Sequence, residues 1–337
     1  MSRSAATLSS VAHSAAVSLS TVSKVLNGRS GVSAGTRRRV EQELRSHGYS
    51  PPSERRSQPL IELVFERVDS AFAIEIIRGV QKAARARGLS VVLSETGDRH
   101  TPGLEWTDQV VQRRPAGVVL VFSDLPPESK GRLALRGIPF VVLDPAGDPA
   151  PDVASVGSAN WSGGVLAARH LLELGHRSIG VIGGPPDMMC SRARMSGYRT
   201  ALEDAGVPIR EDAIRWGDFH REDGVRLGVE LLRLPERPTA IFASNDLMAL
   251  GVVEAARTLG LRVPQDLSIV GYDDLDIARW AGPPLTTVRQ PLAEMGEQAA
   301  LLALEAHEER AIRAARVDLA TSLVVRESTA PPAPVSS

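Results

Sequence analysis

Between residues 18 and 27 the sequence places Ser18, Leu19, Ser20, Thr21, Ser23, Lys24 and Asn27 on the side of a short helical repeat opposite Val22, Val25 and Leu26. Hydroxyl, amide and ammonium groups set this way exchange hydrogen bonds with base edges and phosphate oxygens, and a lysine reaches the acceptors of guanine. A helical hairpin with a solvated polar face is the plain structural alternative. A second set of polar groups follows apolar runs directly, in VDSAF (68–72), SDLPP (123–127), DPAGD (144–148), GGPPD (183–187), SNDLM (244–248) and YDDLD (272–276). Catalytic patterns are weaker. GVSAG (31–35) satisfies G-x-S-x-G in form, but a nucleophile elbow needs a buried strand before it and an acid and histidine behind. The histidines (His13, His47, His100, His170, His176, His220 and His307) include no pair at ligand spacing with a carboxylate helper, and His176 in LGHR suits a structural role. GGPPD lacks the lysine and hydroxyl of a phosphate loop. The expectation is therefore a binding protein and not an enzyme, with no catalytic residue, metal or cofactor.

Three short helices must carry the first set. Leu8, Val11, Ala12 and Ala15 make one apolar stripe; Ser18 suits the cap of a second helix and Ser33 that of a third, which turns Val40 and Leu44 inward. A short turn between the first two gives helix-turn-helix spacing, in which the second helix enters the major groove. The second set needs a parallel sheet. LIELVF (60–65), LSVVL (89–93), GVVLVF (117–122), FVVL (140–143), IGVI (179–182), AIFA (240–243) and LSIVG (267–271) are continuous apolar runs, as strands buried on both faces require. Helical patterns alternate with them at 73–87, 164–174, 192–205, 221–232 and 247–259, with Gly88, Gly175, Gly206 and Gly260 at C-terminal cap positions. This is a doubly wound α/β pattern, and such sheets bind ligands beyond the carboxyl ends of their strands.

The 337 residues exceed one ordinary domain. SPPSERRSQP (50–59) reads as a linker, and STAPPAPVSS (328–337) as a disordered tail without leucine heptads. The expected organisation is 5–50 a DNA-binding headpiece, 51–59 a hinge, 60–327 an effector and dimerisation domain, and 328–337 the tail. A net charge of −1 conceals an asymmetry: residues 1–58 carry nine basic and three acidic side chains, a surplus of +6, which leaves −7 for the remainder. A basic module on an acidic body suits a nucleic-acid reader with a second function. No window approaches the roughly 18 apolar residues of a membrane span, the first residues hold no apolar leader, and one cysteine, Cys190, cannot form an internal disulfide. These features point to the cytoplasm.

TLSSVAHSAAVSLSTVSKVLNGRSGVSAGTRRRVEQELRSHGYSP (7–51) closely resembles the headpiece of LacI/GalR-type transcriptional regulators. The resemblance implies that Ser18, Leu19, Ser20, Thr21, Ser23, Lys24 and Asn27 lie on or beside DNA, with Leu19 and Ser20 at the positions that set operator preference. Ala16 stands where that family has a turn glycine. PSERRSQP stands where it has a hinge helix with a leucine wedge; Gln58 occupies the leucine's place, and Arg55 and Arg56 are left to hold phosphates or enter the minor groove.

The likeness continues through EIIRGV (75–80), NWSGG (160–164), LGHRSIGVIGG (174–184), SRARMSGY (191–198), ASNDLMALGV (243–252), VPQDLSIVGYDD (263–274) and PPLTTVRQP (283–291). It implies a two-lobed fold of the periplasmic sugar-binding type, in which Arg194 holds paired ligand hydroxyls or a carboxylate, Asn245 and Asp273 hold the other hydroxyls, Phe72 and Phe219 are pocket aromatics, and Gln290 lines the crossover. Asn245 and Asp246 equally suit capping of the helix that follows, Asp274 a turn, Arg194 the surface, and Phe72 and Phe219 the core. The implied function is a dimeric, sugar-responsive repressor of carbohydrate genes on pseudo-palindromic DNA. A corepressor-dependent or activating regulator with a purine or nucleoside ligand is the alternative. An exported sugar-binding protein shares the fold but needs a leader and no basic headpiece.

Overall fold

The computed structural model describes residues 7–26, 29, 31–47, 59–97, 103–122, 125–309 and 315–333. Of the expected hinge only Pro59 is among them, so Arg55, Arg56 and Gln58 lie outside the described residues, as does Asn27. The headpiece is α1 (Leu8–Ser14), α2 (Leu19–Leu26) and α3 (Ala34–Ser46). Each start is fixed by a hydroxyl that accepts from an amide of the first turn: Thr7 from Ser10, Ser18 from Thr21 at 3.1 Å, and Ser33 from Thr36 at 3.2 Å. The serine of GVSAG is thus a helix cap. Val11, Ala15, Val22, Val25, Val40 and Leu44 are fully buried in one core. Ala16 has φ of 51°, a left-handed geometry in which its Cβ costs about 1 kcal/mol.

From Leu60 the chain builds β1 (Leu60–Phe65), α4 (Ala71–Ala86), β2 (Ser90–Glu95), α5 (Leu104–Arg113), β3 (Gly117–Val121), α6 (Pro127–Ala134), β4 (Phe140–Leu143) and β5 (Ser155–Ser158). It then crosses to a second lobe of α7 (Asn160–Glu173), β6 (Ile179–Gly183), α8 (Met189–Asp204), β7 (Ile214–Trp216), α9 (Arg221–Leu232), β8 (Ala240–Ala243), α10 (Asp246–Thr258), β9 (Ser268–Asp273), α11 (Asp276–Trp280) and β10 (Thr286–Arg289). Helix α12 (Leu292–Glu309) and β11 (Arg316–Leu319) return to the first lobe, and β12 (Ser322–Val324) ends in the second. Among the described residues the strand orders are β2-β1-β3-β4-β5-β11 and β7-β6-β8-β9-β10-β12, parallel throughout except for β12 against β10. In both sheets the order reverses beside the first strand, which makes the crevice where ligands enter. Gly88, Gly175, Gly206 and Gly260 all have positive φ at helix ends.

Two expectations are corrected. The run containing β2 was expected to be buried on both faces, yet β2 is a sheet edge with Leu93 45% exposed, because no strand among the described residues pairs beyond it. The expected tail is ordered at its start. Ser328 is fully buried, its Oγ accepting from Thr286 N at 2.8 Å and donating to Ile269 O at 2.6 Å, and Ala330 N donates to Ser268 Oγ at 3.0 Å. The Pro-rich composition hid short polar residues that satisfy backbone groups at the end of the second sheet.

Two histidines complete this seam. His176, 1% exposed, reaches Thr239 Oγ1, Ser268 Oγ and Ala330 O within 3.0 Å through its two ring nitrogens, and His170 Nε2 lies 2.9 Å from Thr329 Oγ1. Burial lowers both imidazoles from their ordinary 6.5. The neutral rings therefore stabilise the fold fully above that value, and the contribution declines as pH falls through the depressed folded values. Thermal unfolding should show the melting temperature falling below about pH 6.5, with a smaller fall in His176→Gln; an identical acid response in the variant would remove His176 from the seam's titration.

Candidate effector cavity and DNA-reading face

The loops after strands of both sheets converge on a cavity of about 360 Å³ between the lobes. Its walls contain all six residues singled out for ligand contact: Phe72, Arg194, Phe219, Asn245, Asp273 and Gln290. Phe72, near the start of α4, stacks on Phe122 at the exit of β3, with centroids 5.4 Å apart and planes at 18°. Phe122 was not anticipated, nor was Asp144 at the exit of β4. Their signal was position alone, since Phe122 ends one apolar run and Asp144 directly follows another.

On the second lobe Arg194 is rigidly held. Its Nε donates to Asn160 Oδ1 at 2.8 Å, its Nη1 donates to Ser244 O at 2.6 Å, and its guanidinium lies 3.8 Å from the Tyr272 ring centroid. It is 3% exposed, so it is no surface cation. Burial opposes its charge, but Tyr272, Cys190, Asp273 and Asp144 around it outweigh that and raise it. Phe219 has φ of 63° and its ring lies 5.9 Å from the same guanidinium.

Asn245 combines two readings: its Oδ1 caps α10 by accepting from Met248 N at 2.9 Å, its Nδ2 donates to Phe219 O at 2.9 Å, and it still lines the cavity. Asp246 is not a cap. Fully buried, it accepts from Thr287 Oγ1 at 2.6 Å and from Leu275 N at 2.8 Å, tying α10 to β10 and to the loop after β9. Asp274 binds Arg326 beside the cavity and is not part of its wall.

Gln290 joins the crossovers. Its Oε1 accepts from Ser158 Oγ at 2.5 Å, where the chain first leaves the first lobe, and its Nε2 donates to Asp273 Oδ1 at 2.7 Å. Burial pushes Asp273 up to about 7, against Arg194 and the Gln290 hydrogen bond. Burial likewise raises Asp144, with Arg194 and Asn160 pulling it back, and raises Asp246 well above the carboxylate range. Cys190 also lines the cavity, and burial pushes its thiol up to about 12, so it stays protonated at neutral pH. The wall thus offers a fixed cation, amides and buried carboxylates, of which Asp273 changes charge near neutrality, between aromatic faces. That chemistry holds a small ligand bearing several hydroxyls or ring nitrogens.

On the headpiece, Ser18, Leu19, Ser20 and Lys24 are exposed along one side of α2, with Leu19 at 51%, while Thr21 and Ser23 are half-buried. Ser18 Oγ also lies 2.8 Å from Ser20 Oγ and from Thr21 Oγ1, so the amino end of α2 carries a connected set of hydroxyls. Among the described residues no group of three or more His, Cys, Asp or Glu side chains could hold a metal.

A helix-turn-helix headpiece ahead of a two-lobed domain with its cavity between parallel sheets defines a class of DNA-binding regulator. Residues 7–52 match bacterial regulatory proteins of the lacI family, and residues 168–329 match the periplasmic binding protein-like domain. The HTH-type transcriptional repressor CytR of Escherichia coli (strain K12) is 34% identical over 330 residues, covering 96% of each chain. The HTH-type transcriptional repressor PurR of Escherichia coli O139:H28 (strain E24377A / ETEC) is 34% identical over 331 residues, covering 96% of this chain and 97% of its own. Among solved structures, a complex of the transcriptional regulator CelR with cellobiose is similar with a TM-score of 0.74 and 35% identity, over 96% of this chain and 99% of that one. The lac repressor dimer bound to operator and the anti-inducer ONPF is similar with a TM-score of 0.71 and 30% identity, over 97% and 100%. The chain belongs to the lacI family of DNA-binding transcriptional regulators.

Two substitutions separate the two regions. Lys24→Ala should weaken binding to a duplex selected by the wild type about tenfold or more, read by fluorescence anisotropy, with an unchanged melting temperature. Arg194→Ala removes two charge-assisted hydrogen bonds and the Tyr272 contact, so calorimetry should show about 3 kcal/mol less stability; a stability within 0.5 kcal/mol of wild type, on the order of an ordinary surface change, would contradict its structural role.

Proposed function

We propose that the chain is a cytoplasmic, homodimeric repressor whose operator affinity is changed by a small sugar, a mono- or disaccharide, held between the lobes. Carbohydrate uptake or catabolism genes are its targets. The observation that carries this reading is the convergence of Arg194, Asn245, Asp273 and Gln290 with Phe72 and Phe219 on one interlobe cavity. Carboxylate, amide and guanidinium groups match the hydroxyls of a pyranose, and the rings match its apolar face. The cellobiose bound by CelR, whose fold covers nearly all of this chain, supports the same class of ligand.

Ser18, Leu19, Ser20, Thr21, Ser23 and Lys24 are assigned to DNA, and Asn27, Arg55 and Arg56 are assigned to it from sequence. Two headpieces on a two-fold axis read a pseudo-palindrome, since one alone has too little surface for strong specific binding. Trp280 on α11 is 78% exposed with Ile277 beside it at 39%, an apolar patch that a second copy would cover. No helix among the described residues is long and apolar enough to cross a membrane. Ligand and operator would be coupled by about 1–3 kcal/mol, reciprocally.

A second reading, a corepressor-dependent or activating regulator with a purine or nucleoside ligand, is favoured by one feature. The near-parallel Phe72–Phe122 pair offers planar surface suited to a flat ring.

Anisotropy on the selected duplex with panels of mono- and disaccharides and of nucleosides and nucleobases distinguishes these. Release by one sugar is the expected result; tightening by a base or nucleoside would establish the second reading. Because Asp273 takes up a proton as pH falls through about 7, ligand hydroxyls then lose an acceptor. Calorimetric affinity for the responsive ligand should fall from about pH 8 to 6 in the wild type and lose that slope in Asp273→Asn.

A further inference from the structure

The headpiece and the first lobe meet at α6, through groups that the DNA-reading face leaves unused. Arg136, just beyond α6, donates from Nε to Leu26 O at 2.8 Å and from Nη2 to Val25 O. These carbonyls belong to the last turn of α2, where the helix itself has no amide to offer them. A guanidinium there also faces the negative end of the helix dipole. The remaining nitrogen, Nη1, donates to Arg132 O at 3.0 Å, which ties the side chain back to α6.

Arg132, 2% exposed, lies 3.2 Å from the carboxylate of Glu41 on α3, itself 1% exposed, and also pairs with Asp108 on α5. Arg37 of α3 is 3.9 Å from the same Asp108. Leu135, between the two arginines of the lobe, completes the hydrophobic core of the headpiece with Val25, Leu26 and Leu44. The contact therefore has an apolar centre, a buried ion pair and a helix cap.

Two observations fix its sense. Ser18, Leu19, Ser20 and Lys24 remain exposed while the headpiece sits on α6, so the docked headpiece is free to read. Phe122, directly after β3, lines the ligand cavity, and α6 begins at Pro127. One stretch of chain thus touches the cavity at one end and the reading helix at the other.

We propose that Arg136 and Arg132 are positioning residues for DNA reading: the effector domain supplies the C-terminal cap of the reading helix and so sets the headpiece's angle, by a path separate from the hinge. The consequence for a two-half-site duplex rests on the dimeric repressor reading, but the contact itself does not.

The test compares the full chain with its Arg136→Ala and Arg136→Lys variants on a two-half-site duplex selected from random DNA by the wild type, on an unrelated duplex of equal length, and by hydrogen exchange across residues 8–46. Positioning predicts a loss of about tenfold or more for Arg136→Ala on the selected duplex, partial recovery in Arg136→Lys, and unchanged binding to the unrelated one. Exchange should quicken along α2 while α1 keeps its protection. Unchanged exchange in α2 would overturn the contact whatever the DNA results. Equal losses on both duplexes with protection lost throughout the headpiece would reduce Arg136 to a folding role, and tighter binding by Arg136→Ala would make the contact a restraint on reading; each overturns the proposal. If the wild type selects no duplex, the dimeric operator reading fails, and the exchange result then decides the contact alone.

Discussion

The amide of Gln290 is bonded on both sides at once, accepting from Ser158 and donating to Asp273. Because a primary amide has one oxygen and one nitrogen, these two bonds fix which way it faces, and with it the spacing of two crossovers. The cavity floor is built on that junction. Asp273 stays fixed as an acceptor by Gln290, Arg194 is aimed by Asn160 at the first residue of α7, and Asn160 itself stands two residues after Ser158. Protonation of Asp273 would alter one of the two partners that orient Gln290, so the charge state of the wall and the placement of the lobes share a single hydrogen-bonded junction. Ligand groups that compete for Asp273 would act on the same point.

At the other end of the first lobe the constraint is of a different kind. The headpiece core is closed partly by a residue from outside the headpiece, Leu135, and Glu41 on α3 is buried against Arg132 of α6. Burying such a pair is tolerable only where the surrounding geometry is held firmly, and its removal from one side alone leaves a charge without a partner. A reader joined only by a linker would tumble; this one meets a matched surface. The sequence resemblance puts Gln58 where that family has an apolar wedge, so under the proposed function that surface would carry more of the communication between the two halves.

Much of this architecture was legible in the sequence. The apolar runs located β1, β3, β4, β6, β8 and β9, because strands buried on both faces leave no alternation to misread. Strands β5, β7, β10, β11 and β12 are three or four residues long and contain Ser, Arg, Thr or Asp, and their pairing is decided by neighbours and not by their own composition. Among the wall residues, Arg194, Asn245 and Asp273 stood in recognisable motifs, whereas Asp144 and Phe122 become part of the site only through the parallel alignment of β3 and β4. The Arg136 contact was invisible for a similar reason. Its partners are backbone carbonyls 110 and 111 positions away, and a carbonyl leaves no mark in the residue types.

The order in which the chain visits its lobes has a further consequence. Helix α12 packs Leu292, Met295, Ala299, Ala303 and Leu304 into the first lobe's core, so closely that a Cβ on Gly79 of α4 would stand 1.8 Å from Ala293 O, and β11 completes that lobe's sheet. Both arrive after the entire second lobe. As the chain emerges from a ribosome, the headpiece has all its own helices long before the lobe that docks it has its last helix and edge strand, while Ser328 seals the second lobe later still. Neither lobe can be finished and released first, so synthesis delivers an early, untethered reader followed by two lobes that close together, and a chain stalled before α12 would present that reader without its two completed lobes.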